Sequence, residues 1–293
     1  MNGLRAIARA GFLEWLRGAR ATFVGVQEVR AHPDQLEPAL ARPRGWHTGF
    51  VAAEKKGYSG VGFYSKVKPD AHLCTLDVAG FDREARYQEV RLGALTIVNA
   101  YFPNGNGTPT PEGRRTNSRI PFKLEFYRHL FDRLARRVAA GERLLVMGDF
   151  NTAHREIDLA RPKSNARTSG FTAIEREELG RWLDNGWVDT WRHLYPERAG
   201  VYSWWSQRIG VRERNIGWRL DLVLASRGAL PYLRDAFIHD HVAGSDHCPV
   251  GVRLARSVLV AADQSRQNEG PTKARSTPRA VGSVKNGTAR SAR

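Results

Sequence analysis

The amino-acid sequence predicts a single α/β sandwich domain, and three observations carry that prediction. Short apolar runs alternate with longer segments of helical spacing. The chain has 293 residues, of which 41% are apolar and 10% aromatic, enough to bury one large core. Acidic and amide residues recur just past the ends of the apolar runs, where α/β folds gather ligand-binding groups.

Taken in order, Leu4, Ile7, Ala8, Phe12 and Trp15 have helical spacing, and residues 22–26, 61–64 and 95–100 read as strands. Residues 103–111 form a loop, and residues 122–138 an amphipathic helix. A strand at 144–147 follows, and a third helix starts at Thr172, where Thr172 and Glu175 make a capping-box pattern. Strands at 201–205, 220–225 and 249–254 complete a domain over residues 1–256. Residues 257–293 hold no aromatic side chain and only five of Leu, Ile, Val and Phe, so a disordered basic tail is expected there.

Forty-six Lys and Arg against thirty Asp and Glu give a net charge of +16, of which residues 1–256 keep +11. Such an excess points to a polyanion, nucleic acid before a membrane surface. No stretch approaches the roughly 18 apolar residues of a membrane span. With only Cys74 and Cys248 the chain offers neither a disulfide framework nor a thiolate zinc site, which favours a reducing compartment and a metal held by oxygen. Residues 1–20 lack the apolar core of a secretory signal, although their four Arg mimic an organelle presequence.

The strand ends carry the chemistry. Residues 22–26 run into Gln27-Glu28, residues 144–147 into Gly148-Asp149-Phe150-Asn151, Asp221 sits in Trp218-Arg219-Leu220-Asp221, and Ser245-Asp246-His247 precedes the last strand. Carboxylate and amide oxygens are the ligands of hard cations such as Mg²⁺, which keeps several waters and binds substrate phosphates. One strand-end Asp usually caps a turn; four such places together point to a site.

Those residues, with Gly57-Tyr58-Ser59-Gly60-Val61, Asn99-Ala100-Tyr101-Phe102-Pro103-Asn104, Gly217-Trp218-Arg219-Leu220-Asp221 and Gly244-Ser245-Asp246-His247-Cys248-Pro249, resemble in order the motifs of the exonuclease III type abasic-site endonucleases. The resemblance runs from Asn2 to about Leu254. The Gly-Trp-Arg-Leu-Asp element and residues 157–171 resemble the DNA-repair branch of the wider endonuclease/exonuclease/phosphatase superfamily. It implies a four-layer αββα sandwich of the DNase I type. It also implies a Mg²⁺-dependent (or Mn²⁺-dependent) nuclease that cuts 5′ to abasic sites in double-stranded DNA and acts on 3′ ends. A monomer in the bacterial cytoplasm, with the nucleoid, goes with that reading.

Carried over residue by residue, Glu28 matches the principal metal ligand and Asp246 an aspartate near the metal. Asp149 and Asn151 match the pair that orients the attacking water and holds the phosphate. His247, oriented by Asp221, matches an Asp-His pair, and Tyr101 and Asn104 match groups near the scissile phosphate. Either Asp149 or His247 takes the proton of the water; a His bonded to Asp tends to stay protonated, which favours phosphate binding. Asn2 completes the implied metal group of Asn2, Glu28, Asp149, Asn151, Asp246 and His247. Trp204, Trp218 and Leu220 match the lining of a pocket for a flipped-out abasic sugar, which selects by shape. Trp205 reads instead as core. Tyr58 matches a DNA-contacting tyrosine, and Arg30, Lys56, Lys163 and Arg212 are candidate phosphate contacts.

Two departures stand out. The family motif begins with a strand and an Asn ahead of the stretch matched by Met1-Asn2-Gly3-Leu4-Arg5, which reads as a start site called too late or a truncated gene. Glu84-Ala85-Arg86 replaces the family's Glu-Gly-Arg, and Ala tolerates positive φ poorly. The alternatives are another superfamily phosphoesterase, or a DNA-binding protein impaired in catalysis by the missing start.

Overall fold

Continuous apolar runs become strands buried on both faces, and two of them set the centre of the molecule. The structure, a computed structural model, describes residues 1–113 and 116–261. Its strands are β1 (Phe23–Gln27), β2 (His47–Val51), β3 (Val61–Ser65), β4 (Ala71–Leu73), β5 (Tyr87–Leu92), β6 (Leu95–Tyr101) and β7 (Arg143–Asp149). They continue with β8 (Trp187–Asp189), β9 (Trp204–Trp205), β10 (Gly217–Trp218), β11 (Asp221–Ser226), β12 (Leu233–Ile238) and β13 (Val250–Leu254). One sheet has the order β4-β5-β6-β7-β11-β8, with β6 and β7 parallel and the other neighbours antiparallel.

A parallel pair needs a crossover, supplied here by the helix Ile120–Ala139. Its apolar stripe of Phe126, Tyr127, Leu130 and Leu134 packs on Val98, Ala100, Leu144 and Val146. The helix Ala173–Asp184 adds Leu179 and Trp182 to the same layer, and it begins with the expected box between Thr172 and Glu175. The opposite face of the sheet meets a second layer of strands, β2-β3-β1 and the hairpin β12-β13. Phe63, Ile97, Leu145, Val223 and Ala225, with Phe23, Val250 and Val252, fill the space between. Behind β1 and β3, the helices Leu4–Arg9 and Phe12–Gly18 bury Leu4, Phe12 and Leu16 against Val26 and Tyr64. Helices, sheet, strands and helices make the four-layer αββα sandwich.

The structure departs from the sequence-based expectation in several places. The N-terminal helical pattern breaks in two at Gly11, whose φ of 94° no continuous helix allows. The strand expected at 201–205 shrinks to β9. The second strand layer is divided, since among the described residues β1 pairs only with β3 and β13 only with β12. The ordered body also runs past residue 256. Val258 is buried between the layers, and the Arg143 guanidinium donates to the carbonyls of Ser257, Val258 and Val260. The rest of the expected tail, residues 262–293, lies outside the described residues. Among the described residues no helix is long and apolar enough to cross a membrane.

Candidate active site

Side chains alternate along a strand, so the rows that face the second layer can be followed to their ends. Ile97, Asn99 and Tyr101 form one row, Leu145, Met147 and Asp149 the next, and Ala225, Val223 and Asp221 the third. Register brings Tyr101 opposite Asp149 and Asp149 opposite Asp221. The apolar layer between the sheets thus turns polar at one end. Beneath it Gln27 Nε2 donates to Asn99 Oδ1 at 2.5 Å, and Asn99 Nδ2 donates across the layers to the carbonyls of Val26 and Gly62.

The end of β7 is built for close approach to β6. Gly148 has φ 137°, and a Cβ there would lie 2.0 Å from the Ala100 carbonyl oxygen, so no other residue fits. Asp149 accepts from the Asn151 backbone N–H at 2.8 Å and from Asn151 Nδ2 at 3.0 Å, and Asn104 Nδ2 donates to Asn151 Oδ1 at 3.0 Å. Asn151 holds a left-handed φ of 50°, which its side-chain bonds to Asp149 and to the Phe102 carbonyl accommodate.

His247 enters from the opposite layer through a bridge to Trp204, and its Nδ1 lies 2.8 Å from Asp221 Oδ2. One ligand atom each from Asp149, Asp221 and His247 lie within 4.8 Å of one another. Burial lowers the His247 pKa, but the Asp221 carboxylate outweighs it and raises the value to about 9. Burial raises Asp149 to about 7, with Asp221 adding to the rise and His247 opposing it. As an imidazolium His247 would hold its proton against Asp221 and offer a metal no lone pair, leaving a cation to the oxygen donors. Tyr101 is pushed far up by burial and then by the Glu28 and Asp149 carboxylates on either side, so its hydroxyl keeps its proton.

Glu28 follows β1 with φ 62°, and Arg30 holds its Oε1 at 2.6 and 3.1 Å. The segment before the first helix docks beside it, with Gly3 N donating to Glu28 O and Leu4 N to Val29 O. Asn2 and Asp246 line one cavity of about 610 Å³ together with Ile7, Trp205 and Arg212. Asn2, Glu28, Asp149 and Asp246 carry hard oxygen donors of the kind a divalent ion takes, and among the described residues the acidic and imidazole groups close enough to share one ion are Asp149, Asp221 and His247.

Beside the carboxylates stands a wall of aromatic side chains. Trp204 and Trp218 are half-buried and meet edge-on at 6.4 Å, with Leu220, Leu159 and Phe171 behind them. Leu159 bridges to Trp218, which attaches the segment around residues 157–171 to this wall. Trp204 Nε1 donates to Asp246 Oδ2 at 3.3 Å, tying the wall to the acidic group. Arg219, between Trp218 and Leu220, is fully buried and pairs with Asp158 at 2.8 Å and Asp189 at 2.7 Å. Trp205 is core, buried beside Tyr202 and Cys248.

Two candidate phosphate contacts are engaged elsewhere. Arg30 is bonded to Glu28, and Arg212 clips the loop before Asp246 by donating to the carbonyls of Asp240, Val242 and Ser245. Ala85 adopts φ 48°, so the turn keeps a left-handed residue without glycine. Sequence reasoning missed the network that this turn supports. Buried Arg86 donates to Glu84, to the Tyr58 hydroxyl and to the Tyr101 carbonyl, and its guanidinium lies 4.6 Å from the Tyr101 ring centre. Arg119 joins it on Glu84 and Tyr58. Ser203 was also missed; its Oγ accepts from the backbone N–H groups of Leu220 and Asp221.

Residues 1–247 match the model of the endonuclease/exonuclease/phosphatase family. An exodeoxyribonuclease of Bacillus subtilis is 36% identical over 251 residues, covering 85% of this chain and 95% of that protein. A DNA repair nuclease, APEX1, of Danio rerio is 33% identical, covering 87% and 80%. Among solved structures, AP endonuclease LMAP from Leishmania major superimposes with a TM-score of 0.75 at 27% identity, over 86% of this chain and 84% of that one. A 3′ phosphatase from Neisseria, bound to a product DNA hairpin, reaches 0.76 at 23% identity, over 87% and 96%, and bears on the fold.

Proposed function

Because this chain belongs to the endonuclease/exonuclease/phosphatase family, we propose that it is a DNA repair nuclease. It hydrolyses the phosphodiester 5′ to an abasic site and leaves a 3′ hydroxyl, and it acts on 3′ ends by the same chemistry. The observation that carries this reading is the buried Asp149 beside the Asp221–His247 pair, next to the wall of Trp204 and Trp218.

Glu28, Asp149 and Asp246, with Asn2, would hold Mg²⁺ or Mn²⁺, which when bound neutralises charge on the phosphoryl oxygens. Asp149 takes the proton of a water that attacks phosphorus, and Asn151 fixes the carboxylate for that role. The His247 imidazolium donates to a phosphoryl oxygen through the nitrogen that Asp221 leaves free. The P–O3′ bond breaks and the leaving 3′ oxyanion takes a proton from water to become the 3′ hydroxyl, while the Tyr101 hydroxyl stands near the phosphate as a neutral donor, with Asn104 beside it. A sugar without a base fits against Trp204, Trp218 and Leu220, where a full nucleotide would clash. Tyr58 contacts the DNA backbone. The protein acts as a monomer, and its partner is DNA, with residence in the bacterial cytoplasm.

The test is substrate class. A labelled duplex with one abasic site, the same duplex intact, a single-stranded RNA and an inositol phosphate are each incubated with protein and Mg²⁺. A single nick in the abasic duplex at least about a hundredfold faster than any other turnover is expected. Faster turnover of RNA or of the inositol phosphate would overturn the assignment.

A further inference from the structure

The Ile120–Ala139 helix sends two buried polar side chains into the turn after β7, and neither was absorbed by the chemistry above. Lys123 is wholly buried, and its Nζ donates to the Asn151 carbonyl at 2.6 Å and to Glu175 Oε1 at 2.6 Å. Tyr127 lies four residues on, hence on the same helix face. Its hydroxyl bonds to the Phe150 carbonyl at 2.7 Å and to Thr152 Oγ1 at 3.0 Å. Across the turn, Phe102 N donates to Asp149 O and Phe150 N to Leu220 O. Every carbonyl from Asp149 to Asn151 is therefore held. Lys123 holds the last of them, on a residue whose backbone is left-handed and whose Nδ2 bonds Asp149.

A buried ion pair gives little net stability, because removing two charges from water offsets most of their attraction. An apolar pair would fill the same space with less desolvation. What an apolar pair cannot do is grip a carbonyl oxygen at one fixed position. We propose that Lys123 is a positioning residue of the nuclease, setting the Asn151 turn and through it the orientation of the Asp149 carboxylate. This rests on the reading of Asp149 and Asn151 as the groups that handle the attacking water.

The test uses the full chain with Lys123→Met, Lys123→Met/Glu175→Gln and Glu175→Gln. Nicking of an abasic duplex gives kcat and KM, and hydrogen exchange of the Asn151 amide is followed without substrate. In Lys123→Met kcat should fall at least tenfold with KM within about threefold, and the Asn151 amide should exchange at least tenfold faster. The double variant, which leaves no unpaired charge, should melt higher than Lys123→Met yet keep the loss in kcat, since the carbonyl still lacks its donor. Recovery of parental kcat in the double variant would overturn the proposal, because Lys123 would then serve only to neutralise Glu175. So would a loss shared equally between kcat and KM. Should neither lysine variant fold, Glu175→Gln decides: the amine stays on the Asn151 carbonyl, and kcat within about threefold of the parent supports the assignment while a tenfold loss overturns it. A parent that does not nick abasic DNA would defeat the functional reading alone, since amide exchange at Asn151 is measured independently.

Discussion

Replacing Asp221 with Asn removes the carboxylate that faces His247 Nδ1 at 2.8 Å. The His247 pKa stands at about 9 against an ordinary 6.5, with burial working against the rise. That difference corresponds to roughly 3 kcal/mol of preference for the imidazolium, at about 1.4 kcal/mol per pKa unit. A raised pKa keeps the charge at low pH and loses it as pH rises through the raised value. At about pH 8 roughly nine-tenths of the parental imidazoles carry the proton, whereas at an ordinary pKa roughly 3% do. Because burial alone lowers the imidazole pKa, the variant should be at least about thirtyfold slower near pH 8, with the gap narrowing as pH falls and its imidazole takes up a proton. Single-turnover nicking of an abasic duplex at saturating protein and Mg²⁺, measured from about pH 5.5 to 9.5, reads this directly. If Asp221→Asn is slower by one constant factor across the range, or loses activity over the same alkaline interval as the parent, His247 does not act as a proton held by Asp221.

Other expectations follow from separate parts of the molecule. Glu28→Gln should raise the Mg²⁺ concentration needed for half-maximal nicking and lower turnover, because a neutral amide gives up charge at the cation; an unchanged Mg²⁺ titration would remove Glu28 from the metal group. Trp218→Ala should reduce the preference for abasic over intact duplex by about tenfold, the scale of one lost apolar wall, with 3′-end removal less affected. Asp158→Asn should cost about 3 to 5 kcal/mol at neutral pH, since it takes from buried Arg219 one of its two carboxylate partners and from half-buried Arg192 its carboxylate partner. Burial pushes the Asp158 carboxyl up, but the two arginines more than offset this and hold it far below the carboxylate range. Its stabilisation is thus complete above the ordinary carboxylate pKa and is lost only in strong acid; in chemical denaturation the gap between parent and variant should persist at about pH 4.

The parts of the fold and site that were legible in the sequence share a physical cause. Residues 144–147 are an unbroken apolar run and residues 95–100 are interrupted only by Thr96 and Asn99, a composition that suits strands covered on both faces. The site residues lie at the ends of those runs, where rows of core side chains reach the rim of the sheet. Strand β5 was illegible because Gln88, Glu89 and Arg91 interrupt it; in the structure Glu89 is satisfied by the Tyr87 hydroxyl and by Arg137. The same holds for Arg86, Arg119 and Lys123. Their importance comes from partners distant in sequence, Tyr58, Glu84 and Asn151, and no periodicity records such a meeting. Gly11 was legible as a residue and missed as a break, since helical spacing of apolar residues continues across it. The buried acidic pairs of Arg219 were missed for want of any local pattern, although the arginine stands inside a motif that was recognised.

The most direct measurement is the chemistry of the ends produced at an abasic site. A 5′-labelled duplex with one natural abasic site is treated with the parent and with Asp149→Asn, each with Mg²⁺ and with EDTA, and the labelled fragment is offered to a DNA polymerase. The expected result is a fragment ending in a 3′ hydroxyl that the polymerase extends, no product with EDTA, and a rate at least about a hundredfold lower in Asp149→Asn. A fragment that resists extension because it ends in an unsaturated aldehyde, or equal cleavage with EDTA, would show elimination at the sugar in place of hydrolysis at phosphorus and would contradict the role given to Asp149, His247 and the oxygen-bound cation.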